Sequence, residues 1–275
     1  MARTINYGVA IAEEVLGEGA SVPLQGGTEA GMEKAAALGF DCVEIHLRDA
    51  ARIDPEDWKR LAARYGLRIA AIGTGLEYGM NGLSLTSDDP AIRAKAAAKM
   101  RDFIDLAAPF GAVVFLGLIR GKCGKKALLP AYLDRLAQEL APLAAYAEER
   151  SVPTGFEPVA YYFSDLLNTT QETLDFLSRP GLESIGLLLD THHMFIEDKD
   201  IGASFRSCAG RITHVHISDS NRRYPGAGNV DYGFIARTLD AIGYAGAVSL
   251  EILPDPSGEE AARRGLAWMR STWGM

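Results

Sequence analysis

Short apolar runs alternate with longer amphipathic stretches along the chain, and this alternation limits the fold more than any other feature of the sequence. Apolar runs predict strands at residues 5–10, 41–47, 67–73, 112–118, 153–156, 185–189, 212–217 and 247–252. Amphipathic stretches between them predict helices at residues 29–38, 55–65, 90–108, 130–150, 170–178 and 232–242. The segment 75–89, which contains three glycines, predicts a long loop.

Strands that alternate with helices pair in parallel through right-handed crossovers. Eight such units in 275 residues favour a closed barrel over an open doubly wound sheet. No G-x-G-x-x-G motif follows the first strand to support the open sheet. No linker or change of composition marks a domain boundary. We therefore predict an α/β fold, a single (β/α)8 TIM barrel, with residues 1–275 as one domain.

Charge and cysteine content narrow the class of protein. The formal net charge is -8 and the pI is about 5.2, which argues against a surface built to neutralise nucleic-acid phosphates. The three cysteines are widely spaced and include no C-x-x-C pair, as expected in a reducing compartment. No apolar segment is long enough to span a bilayer, and the first residues lack a secretory signal pattern. We predict a cytoplasmic protein without a membrane or nucleic-acid partner.

Four of the predicted strands end at an ionisable side chain. The fifth strand runs into Glu157, the sixth into Asp190 and the eighth into Glu251, while His216 lies near the end of the seventh. The carboxyl ends of all strands meet at one face of a barrel, so these side chains converge although they are far apart in sequence. The alternative is that each is a solitary polar residue at the start of an ordinary loop.

Three carboxylates that converge repel one another, and a divalent cation is the simplest compensation. One imidazole nitrogen and three carboxylates suit Mn²⁺, Mg²⁺, Co²⁺ or Zn²⁺, and this set lacks the thiolates of a structural zinc site. We therefore predict one divalent metal ion held by Glu157, Asp190, His216 and Glu251, with Mn²⁺ as the first candidate.

Two further polar residues follow these strand ends closely. His193 lies three residues after Asp190, and Arg222 lies six residues after His216, so both can reach over the mouth of the barrel. Arg222 is a candidate contact for a substrate hydroxyl or carboxylate. Its neighbour Arg223 offers the same charge, so one of the pair can instead be a solvated loop residue.

The strands themselves carry other ionisable residues. Side chains alternate along a strand with a period of two, so His214 and His216 lie on one face. We expect His214, Glu44 and His46 to be hydrogen-bonded residues of the barrel core. Glu44 is also a candidate for orienting a ligand histidine.

Two glycine-containing loops carry weaker signals. GLIRGKCGKK lacks the residue order of a phosphate-binding loop, so Arg120 and Lys122 are weak candidates for anion contact, and we expect both to be exposed. The PGAGN segment that follows Tyr224 predicts a turn, and a mobile loop there could close over a substrate.

The strand-end residues and two local motifs resemble a known family. The motifs are D-T-H-H-M at residues 190–194 and H-I-S-D-S-N-R-R-Y-P-G-A-G at residues 216–228. With Glu157 and Glu251 they resemble the xylose isomerase-like TIM-barrel superfamily, and within it the ketose 3-epimerases that act on tagatose and psicose. The resemblance is specific from Glu157 onward, whereas the N-terminal half matches only in general pattern.

The resemblance implies a role for each of the motif residues. Glu157 and Glu251 would bind the metal and also act as the acid/base pair on opposite faces of a substrate carbon. His193 and Arg222 match the positions that contact substrate oxygens. The chain departs from the family at Phe163, where the epimerases commonly carry a glutamate, which points to a different or less polar polyol-derived substrate.

These residues suggest metal-assisted proton abstraction next to a carbonyl through an enediolate. Two carboxylates around one carbon explain 3-epimerisation of a ketose or related keto-polyol, while one base acting on neighbouring carbons would give aldose–ketose isomerisation. One alternative is a metal-dependent lyase or dehydratase of a keto-sugar or keto-glycoside. A second alternative is a non-catalytic sugar-binding protein. The expected partner is a small carbohydrate, and a homo-oligomer is left open.

Overall fold

The computed structural model describes residues 5–273. Its strands are β1 (Asn6–Ala12), β2 (Leu24–Gln25), β3 (Cys42–His46), β4 (Arg68–Gly73), β5 (Val113–Leu116), β6 (Thr154–Phe156), β7 (Gly186–Asp190), β8 (Ile212–Ile217) and β9 (Ala247–Leu250). Its α-helices are α1 (Thr28–Leu38), α2 (Pro55–Tyr65), α3 (Gly75–Asn81), α4 (Pro90–Ala107), α5 (Leu129–Glu149), α6 (Thr170–Leu177), α7 (Thr191–Glu197), α8 (Ile201–Ser207), α9 (Tyr232–Ala241) and α10 (Gly258–Trp273).

The sheet closes on itself. β1 pairs with β3, each later strand pairs with the next, and β9 pairs back with β1, always in parallel. The two-residue β2 only extends the sheet at the end of β1. The eight remaining strands form the predicted α/β TIM barrel, which is confirmed, and all eight predicted strands are present. That residues 1–275 form one domain stays a prediction.

Helix starts follow local capping chemistry. The Asp89 side chain accepts a hydrogen bond from the Ala91 N–H at 2.8 Å, and Pro90 occupies the first turn of α4, as the sequence predicts. Thr169 and Glu172 form a capping box at α6. Within residues 5–273, no helix combines the length and the apolar character that a membrane span requires.

Four short or terminal helices, α3, α7, α8 and α10, were not predicted. α3 lies in the segment that the sequence predicts to be a loop. Gly75 and Gly79 lower the helix propensity of this segment, so its composition does not predict a helix. α7 begins directly at the end of β7, where the Asp190 side chain accepts from the His192 N–H at 2.8 Å. A strand-end carboxylate therefore also caps the helix that follows it.

The alternation of side chains divides the barrel into two environments. One set of strand residues faces the helices and is apolar, as in Val43, Ile45, Val215, Ile217 and Leu250. The other set faces the barrel interior. There, Ala71, Val113, Phe115 and Leu188 form a small apolar cluster. Polar residues occupy the interior towards the carboxyl ends of the strands, namely Glu44, His46, Asp190, His214 and His216.

The seam where the barrel closes is tightly packed. Gly8 of β1 lies opposite Ser249 of β9 and Cys42 of β3. A Cβ atom on residue 8 would lie 2.5 Å from the Ser249 Oγ and 3.0 Å from the Cys42 Sγ. The Ser249 hydroxyl is buried and has no hydrogen-bond partner in the part of the chain that the structure describes.

We expect Gly8→Ala to lower the free energy of unfolding by about 1–3 kcal/mol, because the added methyl overpacks the seam. Ser249→Ala alone removes an unpaired hydroxyl and should change stability by less than about 1 kcal/mol. The double variant should recover part of the loss, since the clash with Oγ disappears. Urea unfolding of all four proteins measures this coupling. If the loss of stability in the double variant equals the sum of the losses in the two single variants, the two positions are not coupled and the prediction is wrong.

Candidate functional site

The four predicted strand-end residues lie together at the mouth of the barrel. Glu157 follows β6, Asp190 ends β7, His216 lies in β8 and Glu251 follows β9. Each offers one ligand atom, and these atoms all lie within 4.8 Å of one another. We call these four residues the acidic cluster. The barrel thus brings together side chains separated by up to a third of the chain.

His216 lies at the centre of the acidic cluster. Its Nδ1 is 3.4 Å from a Glu157 oxygen, 3.7 Å from Asp190 and 3.4 Å from Glu251. That nitrogen is buried and has no hydrogen bond of good geometry among the described residues. A bare lone pair facing three carboxylates is unfavourable, so a proton or a metal cation has to lie between them. Burial would lower the pKa of His216, yet Glu44 and Glu251 raise it well above its usual value.

The other nitrogen of His216 contacts Glu44, which lies deeper in the barrel. Glu44 Oε2 is 2.8 Å from His216 Nε2 and 2.9 Å from His214 Nε2, and Oε1 is 2.7 Å from His46 Nε2. A carboxylate only accepts hydrogen bonds, so His216 Nε2 carries the proton and its Nδ1 faces the acidic cluster. Burial opposes ionisation of Glu44, but His216 and the other two imidazoles hold its pKa well below its usual value.

Arg222 joins two carboxylates of the acidic cluster. Its Nη1 donates to Asp190 and its Nη2 donates to Glu251. Burial would raise the pKa of both carboxyls, but the guanidinium charge holds that of Asp190 well below its usual value and lowers that of Glu251. Burial raises the pKa of Glu157, and the side-chain hydrogen bonds of Arg222 found within residues 5–273 go to Asp190 and Glu251. The two glutamates therefore have different environments.

The loop that carries Arg222 is held by the buried carboxylate of Asp219. Asp219 accepts hydrogen bonds from the N–H groups of Ser220 at 2.7 Å, Gly226 at 2.9 Å and Val230 at 3.1 Å. Arg222 itself has a positive φ of 63°, a conformation that costs a non-glycine residue about 1 kcal/mol or more. These hydrogen bonds hold the backbone that keeps Arg222 over the acidic cluster.

His193 lies beside the acidic cluster, with its Nε2 3.8 Å from Asp190. Its Nδ1 is buried and unpaired within residues 5–273. Burial lowers the pKa of His193 to about 3, so the ring is neutral at physiological pH. The neighbouring Phe163 ring packs against it in a T-shaped arrangement, with the ring centroids 5.6 Å apart.

The expectation that Arg120 is exposed was wrong, whereas Lys122 is exposed as expected. Arg120 is fully buried and donates to the backbone carbonyls of Gly117, Leu166, Leu167 and Glu157. Burial lowers the pKa of Arg120 to about 9, and the nearby charge of Glu157 opposes this change. Arg120 therefore fixes the backbone at the residue where β6 runs into the acidic cluster.

Sequence reasoning missed three groups that position the site. They are Arg120, the loop carboxylate Asp219, and the pair formed by the Tyr162 hydroxyl and His192 Nε2 at 2.7 Å. Asp219 lay within the H-I-S-D-S-N motif, but nothing in the motif distinguishes a buried loop carboxylate from a solvated one. His214, Glu44 and His46 are buried and hydrogen-bonded as expected.

Comparisons with known proteins agree with this geometry. A family model described as xylose isomerase-like TIM barrel matches residues 32–272. The L-ribulose 3-epimerase of Mesorhizobium japonicum is 31% identical over 86% of this chain and 78% of that protein. The ketose 3-epimerase of Arthrobacter globiformis is 31% identical over 88% of this chain and 83% of that protein. The crystal structure of a Methylomonas D-allulose 3-epimerase in complex with D-allulose superposes with a TM-score of 0.81, at 26% identity and 98% coverage of both chains.

We expect Asp219→Asn to destabilise the protein by about 1–3 kcal/mol, because the single oxygen of the buried amide cannot serve all three part-buried N–H donors. Amide hydrogen exchange at residues 220, 226 and 230 should accelerate. The matched control is Asp255→Asn, which removes a half-exposed carboxylate paired with Arg223 of the same loop and should cost less than about 1 kcal/mol. Equal urea midpoints for the two variants would contradict the role given to Asp219.

Proposed function

The chain belongs to the xylose isomerase-like TIM barrel family, and from this premise we propose that it is a metal-dependent enzyme that epimerises a ketose or related keto-polyol at C3. The observation that carries the proposal is the position of Glu157 and Glu251, each 3.4 Å from the same nitrogen of His216. Two carboxylates near one point can serve the two faces of a single carbon.

The acidic cluster fits a divalent cation. Its donors are three carboxylates and one imidazole nitrogen, and that nitrogen is buried and unpaired among residues 5–273. Oxygen-rich donors with one nitrogen suit Mn²⁺, which we propose as the native ion ahead of Mg²⁺, Co²⁺ and Zn²⁺. Glu157, Asp190, His216 and Glu251 would hold it, and it would supply positive charge to the oxygens of the enediolate.

The side chains would divide the remaining work. One of Glu157 and Glu251 removes the proton from C3, and the other returns a proton to the opposite face. Arg222 and His193 would bind substrate oxygens. Each keeps a shielded nitrogen without a partner among the described residues, Nε in Arg222 and Nδ1 in His193, as expected for groups that await a ligand.

The proposed substrate is a small carbohydrate and not a nucleic acid. The net charge of -8 opposes binding to phosphate backbones, and the curated relatives named above are sugar epimerases. We propose that the protein acts in the cytoplasm.

Solvent deuterium exchange tests the proposed reaction. The Mn²⁺-loaded protein is incubated in D₂O with D-fructose, D-psicose, D-tagatose and L-ribulose in turn, and NMR follows the C3 position. The proposal requires one solvent deuterium at C3 together with formation of the C3 epimer. Loss of a leaving group would identify a lyase instead. Calorimetric binding without exchange of any substrate would identify a sugar-binding protein.

Metal content tests the acidic cluster separately from turnover. We expect Glu157→Gln and His216→Ala to lose the ion on dialysis, because the first replaces a charged carboxylate with a neutral amide oxygen and the second removes the imidazole donor. Glu44→Gln should retain the site but weaken metal binding roughly 10–100-fold, since its amide cannot accept from all three imidazoles. Elemental analysis and competition with a fluorescent chelator measure both effects.

Glu77→Gln is the matched control, because Glu77 is equally buried but lies outside the acidic cluster. It should bind metal as the parent protein does. Parent-like metal content in Glu157→Gln and His216→Ala would overturn the four-residue site. Parent-like affinity in Glu44→Gln would overturn the orienting role of Glu44.

A further inference from the structure

Three consecutive aromatic residues lead from the acidic cluster to solvent. Phe163 packs against His193, Tyr162 packs on Phe163 with the ring centroids 4.6 Å apart, and Tyr161 meets Tyr162 edge-on at 5.6 Å. Exposure rises along this series: His193 is buried, Tyr162 is 47% exposed and Tyr161 is 70% exposed. We call residues 161–163 the aromatic strip.

The aromatic strip is held in place by hydrogen bonds. His192 Nδ1 lies 3.0 Å from the Asp219 carbonyl oxygen, which only accepts, so Nδ1 carries the proton. The Nε2 lone pair therefore accepts from the Tyr162 hydroxyl at 2.7 Å. At the other end, the Tyr161 N–H donates to Glu197 at 2.6 Å. The Tyr162 ring and the backbone of Tyr161 are thus held in place, and the Tyr161 ring packs against Tyr162.

The chemistry of the aromatic strip differs from that of the acidic cluster. Phe163 has no polar atom to offer where it lies beside His193, and the Tyr162 hydroxyl is already bound to His192. Aromatic faces carry partial negative charge and attract the slightly positive C–H groups of a sugar ring. A free ketose has hydroxyls on nearly every carbon. In the proposed function, the acidic cluster, Arg222 and His193 bind the oxygens near C3.

We propose that the aromatic strip is a subsite for a pyranose ring attached to the reacting ketose, so that the preferred substrate is a ketose glycosylated at a hydroxyl remote from its carbonyl. This inference rests on the proposed function. The linkage must spare the anomeric oxygen, because an acetal there would lock the carbonyl that acidifies the C3–H bond. In the reaction that bond breaks, its proton goes to one glutamate, and the other glutamate supplies a proton to C3, so substrate and product are isomers.

Isomaltulose, a 6-O-glucosyl fructose, tests the subsite against D-fructose. The Mn²⁺-loaded protein should exchange the C3 proton of both, with a kcat/KM for isomaltulose about tenfold or more above that for fructose. Methyl β-D-fructofuranoside, whose carbonyl is locked, should not exchange. Tyr161→Ala and Tyr162→Ala should each lower the isomaltulose-to-fructose ratio about three- to tenfold, through the isomaltulose KM more than through kcat.

Two comparisons complete the test. Phe234→Ala, which truncates a similarly exposed aromatic residue outside the strip, should leave the ratio unchanged. Tyr162→Phe keeps the ring and should keep most of the preference. Exchange of fructose with no preference for isomaltulose would overturn the subsite and leave the proposed function standing. Exchange of neither sugar would overturn both. Calorimetry gives a readout independent of turnover: a Kd for isomaltulose that both alanine variants leave unchanged would also overturn the subsite.

Discussion

The site depends on one buried carboxylate in contact with three imidazoles. Glu44 is fully buried, and removing a charge of this kind from water costs several kcal/mol unless hydrogen bonds replace the lost hydration. His46, His214 and His216 supply those bonds. The consequence reaches the acidic cluster, because the proton on His216 Nε2 leaves Nδ1 to face Glu157, Asp190 and Glu251. An apolar residue at position 44 would leave the ring orientation and the tautomer of His216 undetermined.

Barrel geometry explains why a site so rich in charge is compatible with a stable core. The period of two along each strand sends apolar side chains outward to the helices and the alternate residues inward. Phe115 and its small cluster fill part of the interior, and the Phe115 ring makes T-shaped contacts with both His46 and His216. The charged groups therefore lie against packed apolar side chains, where burial strengthens each electrostatic contact.

The sequence predicted the barrel and the convergence of the acidic cluster because both follow from simple periodicity. An apolar run ending in a single carboxylate identifies a strand end, and closure of the barrel gathers the ends. Arg120 was beyond this reasoning, since its partners are backbone carbonyls whose positions exist only in the folded chain. The helix α7 was also beyond this reasoning, because the sequence predicts Asp190 only as a metal ligand and not as the cap of a helix.

Asp219 connects parts of the site that the chain keeps separate. Its carboxylate holds the loop of Arg222, while its backbone carbonyl accepts from His192, which in turn fixes Tyr162. One residue therefore sets the position of the guanidinium over the acidic cluster and of the aromatic strip beside it. Any displacement of Asp219 therefore moves the guanidinium of Arg222 and the aromatic strip together. A substrate that engages both would thus meet two surfaces held in fixed relation, which lowers the cost of ordering the protein when it binds.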